Sequence, residues 1–273
     1  MSDPGVVLVT GASSGNVRAT AMLLAQRGYR VFGTSRQPAQ SPPVPGAELL
    51  ELDVCSDESV RECVAAVLER AGRLDVLVNN AGYELAGALE EISLEEAQAQ
   101  FDTNFFGVVR MVKASLPSMR QRRSGRIVNV SSLAGLSVAP FMGMYSASKF
   151  ALEGFGEALR HEVRPFGIHV SQIEAGFLNT PMQSNRKRAA KPIAEYDTHR
   201  ERAYQAIAEY EARGPNAGLV AQTVARIVSS RNPRLRYVVG QQAKFAMRVR
   251  YFLPAAMFEE GVRRHFRLDA RER

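Results

Sequence analysis

The 273-residue chain has no tryptophan and only two cysteines, Cys55 and Cys63, which form no CxxC pair and have no histidine close by in sequence. A disulfide framework and a cysteine-built metal site are therefore not expected, and a reducing, cytoplasmic setting fits. The four histidines, His161, His169, His199 and His265, never form a close pair such as HxxxH, so no metal is assigned to them. No apolar run reaches the 18 or so residues of a membrane span. The opening Met-Ser-Asp-Pro-Gly lacks the basic segment and apolar core of a secretory leader, so neither secretion nor membrane insertion is expected.

What the chain does contain is ordinary globular composition, 45% hydrophobic and 23% charged, in a length that suits one large α/β domain over residues 1–273. Its net charge is +7, concentrated late: Lys244 to Arg273 holds eight Lys/Arg against four Asp/Glu. No nucleic-acid module accompanies those charges, so nucleic-acid binding is not expected. Phe245, Tyr251, Phe252, Leu253 and Phe258 lie among them, a pattern that fits weak peripheral contact with an anionic membrane surface by a basic C-terminal extension at about 241–273.

Short β-branched runs alternate with helical patterns. Val6–Thr10 reads as a strand, Asn16–Arg27 as a helix closed by Gly28, and Tyr29–Thr34 as a second strand, which together make a βαβ unit. A Pro/Ser-rich loop, Pro38–Gly46, precedes further strands at Glu48–Val54, Asp75–Val78, Arg126–Val130, Ile168–Ile173 and Arg236–Val239. Seven strands interleaved with helices predict a doubly wound, Rossmann-type parallel sheet covered on both faces. Between the last two strands, the Arg/Lys/Glu/Ala-rich segment at about 184–213 is expected to form one or two amphipathic helices over the open end of the sheet.

Ligands of such sheets bind beyond the carboxyl ends of the strands. Thr10-Gly-Ala-Ser-Ser-Gly-Asn-Val17 occupies the strand-to-helix position of a phosphate-cradling turn. After the second strand comes Thr34-Ser-Arg36, with no acidic residue for a ribose 2′-hydroxyl; Arg36 suits a 2′-phosphate, favouring NADP(H) over NAD(H). Tyr145 and Lys149, four residues apart, share one helix face, where an ammonium near a phenol would lower its pKa and fit it for proton transfer.

From about Val6 to Met182 the chain resembles the short-chain dehydrogenase/reductase family. The motifs run in that family's order: the Thr10–Gly15 turn, Asp53-Val54, Asn79-Asn-Ala-Gly82, Asn104, Ser132 thirteen residues before the tyrosine, then Tyr145 and Lys149. The resemblance implies that Tyr145 is general acid in reduction and general base in oxidation, and that Ser132 hydrogen-bonds the substrate oxygen. It implies that Lys149 lowers the tyrosine pKa and holds the nicotinamide ribose, while Asn104 positions a proton-relaying water. For the cofactor it implies Gly11, Ser13, Ser14, Gly15 and Asn16 at the phosphates, Asp53 and Val54 at the adenine, and Asn80, Ala81 and Gly82 on the adenosine side. Val130, Gly176, Phe177 and Thr180 would lie at the nicotinamide end.

Two positions depart from that pattern. Val17 and Asn16 replace the usual glycine and aliphatic residue, and a β-branched side chain there is expected to crowd the cofactor. Ala175 stands where proline usually precedes Gly176, which is expected to loosen that turn. A catalytically silent binding scaffold is the alternative that these departures allow.

Leu133, Leu136, Val138, Phe141, Met142, Met144, Phe177, Leu178 and Met182 make the expected site apolar, suited to a lipophilic ketone or secondary alcohol. Phe101-Asp-Thr-Asn-Phe-Phe-Gly107 and the tail after Tyr237 resemble the 17β-hydroxysteroid and retinol dehydrogenase branch. Arg186, Lys187, Arg188 and Lys191 leave open a ketoreductase of polyketide intermediates that docks an acidic carrier protein. Pairing through the long helices into a homodimer or homotetramer follows from the resemblance alone.

Overall fold

The structure, a computed structural model, describes residues 5–12, 15–179, 186–216 and 218–269, with only the backbone of Gly15 and Asn16. Its strands in chain order are β1 (Val6–Val9), β2 (Arg30–Ser35), β3 (Ala47–Glu51), β4 (Val76–Asn79), β5 (Leu85–Ala86), β6 (Gly125–Val130), β7 (Ile168–Ala175), β8 (Lys187–Arg188) and β9 (Arg236–Val239). Seven of them form one parallel sheet in the order β3-β2-β1-β4-β6-β7-β9, and β5 pairs with β8 in a short second sheet. The order reverses direction at β1 and β4, so a crevice lies beyond their carboxyl ends.

Strand alternation assigns the two faces. Val6 and Leu8 of β1 join one core, Val7 and Val9 the other, as the period of two requires. The first core packs against α2 (Asp57–Ala71), α4 (Gly107–Gln121) and α5 (Gly143–Val163). The second packs against α1 (Gly15–Gln26) and α7 (Gly218–Ser229). Both faces of β1 are buried, which is why it reads as a continuous apolar run.

Helix ends follow their caps. The Ser56 side chain accepts from the Ser59 N–H to open α2, and Gly72 closes that helix at φ +70°. Ser93 and Glu96 form a reciprocal capping box at α3 (Leu94–Phe101). Between α3 and α4 the chain makes one π turn, Asp102–Phe106.

The 184–213 segment carries one helix of the one or two expected, and a short strand besides. Residues 180–185 lie outside the described part; beyond them the chain pairs as β8 with β5, then forms a single helix, α6 (Asp197–Ala212). The C-terminal stretch is not a mere extension. It folds as α8 (Gln241–Phe252) and α9 (Ala255–His265), and Phe266 enters a third apolar cluster with Tyr145, Tyr204 and Ile207.

Val17 also differs from expectation. Its side chain is buried in the second core with Ala21, Val31 and Val9, so it packs helix α1 onto the sheet. A side chain turned into that core fills space that glycine would leave open, and the crowding argument loses its basis.

A buried carboxylate cluster sits where β7 meets α5. Glu174, fully buried, faces Arg236 Nε at 3.2 Å, which also lies 3.3 Å from Glu153; Arg236 Nη2 reaches Glu157 at 2.9 Å. Burial first, and then the Glu153 charge, push the Glu174 carboxyl up to about 8. A raised carboxyl pKa gives a contribution to stability that is complete below the ordinary value of 4.5 and is lost as pH rises through about 8. Glu174→Gln should therefore unfold at nearly the same temperature as the unaltered protein at about pH 5 and at a higher one at about pH 9. Thermal unfolding across that range checks this, and parallel pH profiles would refute it.

Candidate active site

Three strand ends are tied together at the switch point. The Thr10 hydroxyl accepts from the N–H groups of Asn80 (2.9 Å) and Ala81 (3.0 Å). Thr34 Oγ1 accepts from Gly11 N at 3.0 Å, and its carbonyl accepts from Ala12 N at 2.8 Å. Gly11 holds φ +77°, and a Cβ there would stand 3.3 Å from the Ala81 backbone. At Gly82 a Cβ would come within 2.9 Å of Asn104 Oδ1. Backbone thus replaces side chain along this crevice, leaving the room that close approach of a dinucleotide requires. Ser13, Ser14 and Thr180 lie outside the described residues, as do the side chain of Asn16 and all of Met182.

Arg36 follows the end of β2 and is exposed; Asp53 and Val54 follow β3, Asp53 exposed and Val54 buried. Asp53 Oδ1 accepts from Cys55 N at 3.0 Å, so part of its acceptor capacity shapes its own turn. These positions lie past neighbouring strands, with Ser35 paired to Glu51.

Asn104 sits inside the π turn, buried, and its amide is fully engaged. Its Oδ1 accepts from Tyr83 N at 3.0 Å, while Nδ2 donates to Tyr83 O at 3.0 Å and Ser148 Oγ at 3.3 Å. The side chain therefore clamps the loop after β4 to helix α5. A π turn changes the helical phase locally, which turns Asn104 inward.

Tyr145 and Lys149 stand in the first turns of α5, both buried. Lys149 Nζ donates to the Val130 carbonyl at 3.0 Å and lies 5.8 Å from the centre of the Tyr145 ring. Ser132 caps a short turn after β6: its Oγ accepts from Ala134 N at 3.1 Å and lies 3.4 Å from the Ala175 carbonyl, to which it donates. Ser132, Tyr145 and Lys149 all line one cavity with Val130, Gly176 and Phe177. At the Ala175–Gly176 turn, the Ala175 carbonyl accepts from Ser132 and Gly176 N donates to Val239 O at 3.0 Å.

The electrostatics depart from the expectation that Lys149 sets the tyrosine. Burial dominates and pushes the Tyr145 phenol above its ordinary value, with the Glu84 and Glu211 charges adding to it; the Ser132 hydroxyl and the Arg186 guanidinium pull the other way. Tyr145 is accordingly a neutral phenol at neutral pH, the form that donates a proton. Burial lowers Lys149 to about 8, opposed by the charges of Glu153 and Glu84.

The cavity measures about 640 Å³. Leu133, Val138, Met142, Phe177 and Leu178 line it as expected, whereas Leu136, Phe141 and Met144 do not. Phe141 instead packs edge-on to Tyr196 and Tyr204. Ile207, Tyr210 and Glu211 of α6 belong to the segment expected over the open end of the sheet, whereas the wall from Phe245, Val249 and Val262 of α8 and α9 lies outside that expectation. The apolar spacing of α9 was the available signal, masked by the charges of Glu259, Glu260, Arg263 and Arg264. Of the four basic residues considered for carrier docking, Arg186 points inward and pairs with Glu84 and Glu211. Lys187 and Arg188 lie over the rings of Tyr83 (4.5 Å) and Tyr204 (5.0 Å), and both are exposed, as is Lys191.

Known proteins of this shape and sequence are numerous. Residues 5–191 match the family described as short chain dehydrogenase. A 3-ketodihydrosphingosine reductase of Bacteroides thetaiotaomicron is 40% identical over 264 residues, covering 95% of this chain and 97% of that protein. Retinol dehydrogenase 8 of Homo sapiens is 39% identical over 85% of this chain and 80% of its own length, in keeping with the retinol and steroid dehydrogenase branch. A crystal structure of a short-chain dehydrogenase from Streptomyces avermitilis superposes with a TM-score of 0.84 at 33% identity, covering 98% of this chain and 100% of that one. With its sheet, its crevice and its Ser–Tyr–Lys cluster in place, the chain belongs to the short-chain dehydrogenase family of oxidoreductases.

Proposed function

We propose that this protein is an NADP(H)-dependent oxidoreductase that interconverts a lipophilic ketone and its secondary alcohol, working in a cytoplasmic setting. The observation that carries this reading is the convergence of Ser132, Tyr145 and Lys149 on one side of a large, mainly apolar cavity at the carboxyl ends of the strands. The similarity to a ketone reductase over nearly the whole chain supports it.

A bound nicotinamide supplies or accepts the hydride. The protein's own part is the oxygen. Tyr145, neutral and buried, gives its hydroxyl proton to the carbonyl oxygen in reduction and recovers one from the alcohol in oxidation. Ser132 donates a hydrogen bond to the same oxygen and steadies its developing charge. Lys149, with a pKa near 8, is the charge through which a proton returns to Tyr145, and the Val130 carbonyl holds its ammonium in place. Gly11, Ser13, Ser14, Gly15 and Asn16 would hold the phosphates, Asp53, Val54, Asn80, Ala81 and Gly82 the adenosine, and Gly176, Phe177 and Thr180 the nicotinamide. Asn104 serves by holding Tyr83 and Ser148 rather than by touching substrate.

Arg36, exposed at the end of β2, is the group that selects a 2′-phosphate. A second copy would pack on the helices α4 and α5, where Phe106 just before α4 and Phe150 of α5 are exposed. Phe245, Tyr251, Phe252 and Met257 are exposed around the outer end of the cavity with Lys244, Arg248 and Arg250 among them, which fits an anionic lipid surface as the source of substrate.

For Tyr145→Phe the expected outcome is a loss of turnover on the order of 10²- to 10⁴-fold with NADPH affinity unchanged, read by steady-state kinetics beside fluorescence titration of the cofactor. Failure of the unaltered protein to bind NADPH at all would remove the enzyme reading. Arg36→Ala should weaken NADPH binding by about tenfold or more while leaving NADH binding alone; equal effects on both would deny Arg36 its selective role. Sedimentation with vesicles should recover the protein on anionic but not on neutral lipid, and Tyr251→Ser with Phe252→Ser should abolish recovery. Indifference to lipid charge would count against the membrane contact.

A further inference from the structure

The amino-terminal ends of the strands, at the far end of the sheet from Tyr145, carry a group of cations. Arg126, near the start of β6, is paired in register with His169 of β7, so the two side chains stand next to each other on one face of the sheet. Val130, whose carbonyl holds Lys149, lies at the other end of β6, roughly 13 Å along the strand. Arg160, near the end of α5, reaches over β7: its Nη1 donates to the Val170 carbonyl and its Nη2 to Pro233 O at 2.9 Å. Arg164, in the turn that follows α5, is exposed, and Arg123 Nη2 donates to Pro165 O at 2.7 Å.

None of these cations meets an acid. Among the described residues no ion pair joins Arg123, Arg126, Arg160, Arg164 or His169 to a carboxylate, and Asp75, just before the neighbouring strand β4, is already held by Arg73 at 2.9 Å and by Arg122. The groups that face Arg126 are the phenols of Tyr29 and Tyr237, and Tyr237 of β9 faces Arg160 as well. Arg126 Nη1 is buried without an acceptor, while the side chain as a whole is only half-buried, so its other nitrogens are open to an incoming one. A guanidinium stays charged, and a charged donor left unpaired costs free energy. Mutual repulsion is visible at His169, which burial and then the charges of Arg126, Arg160 and Arg164 hold below the ordinary histidine value.

We infer that Arg126, His169, Arg160 and Arg164 form a binding site for a small phosphate-type anion, a free phosphate or diphosphate, separate from the dinucleotide crevice at the opposite end of the sheet. A polyoxyanion can turn an oxygen toward each guanidinium, the pairing that arginine favours, and its charges offset the unmatched positive ones. The exposed large hydrophobic side chains of the described residues all lie outside the loops at this end, so the face offers neither base stacking nor insertion into a bilayer, and a soluble anion is the occupant it fits. An anion held there favours the imidazolium of His169, so binding takes up a proton.

The test is calorimetry on the full chain with two probes, sodium pyrophosphate and sodium sulfate. Arg126→Gln should weaken pyrophosphate binding about tenfold or more, and Arg164→Gln, at an exposed position where folding is not at stake, should weaken it in the same direction. Arg36→Ala, at the crevice, should leave this binding unchanged. Sulfate stays a dianion across the range, so its tighter binding at about pH 5.5 than at about pH 8 reports the protein alone, and His169→Gln should flatten that dependence while sulfate still binds. Pyrophosphate binding lost in Arg36→Ala but kept in Arg126→Gln and Arg164→Gln would place the anion in the crevice and overturn the inference. Absence of binding by the unaltered protein, or equal affinity in all variants, would overturn it too.

Discussion

A buried ammonium must have an acceptor, and in this molecule Lys149 finds it in the Val130 carbonyl at 3.0 Å. That contact joins the start of helix α5 to the carboxyl end of β6, and the other features of the site depend on the junction. Tyr145 lies one turn earlier on the same helix, so its position relative to Ser132, just beyond β6, is set by the same bond. Ser148, also in this turn, receives the Asn104 amide, which holds the loop after β4. Strand, loop and helix are thus locked around one proton donor by polar contacts that the low dielectric strengthens.

The same junction accounts for the acidic cluster behind it. Glu153 is one turn beyond Lys149 and donates a favourable charge to it, but it can be buried only with Arg236 and the Gln172 amide as partners, the latter at 2.8 Å. Arg236 in turn opens β9, the last strand of the sheet. A chain of charges therefore runs from the edge strand to the reacting residues, and the sheet's final pairing is electrostatically coupled to Lys149.

How much of this was legible in sequence depended on the range over which each feature is decided. Strand positions were readable because alternation in β1 and its neighbours assigns faces locally. Tyr145 and Lys149 were readable because a helix fixes their spacing, and Asn80–Gly82 because the loop follows a strand end. The inward turn of Val17 was not, since a missing glycine alone does not say whether its replacement faces ligand or core. Nor was the pairing of Arg186 with Glu84 and Glu211, which lie 102 and 25 residues away. A run of basic residues has the same pattern whether it is solvated or folded inward. The cavity walls supplied by α8 and α9 were hidden for a similar reason: their arginines obscure an apolar face that only tertiary packing reveals.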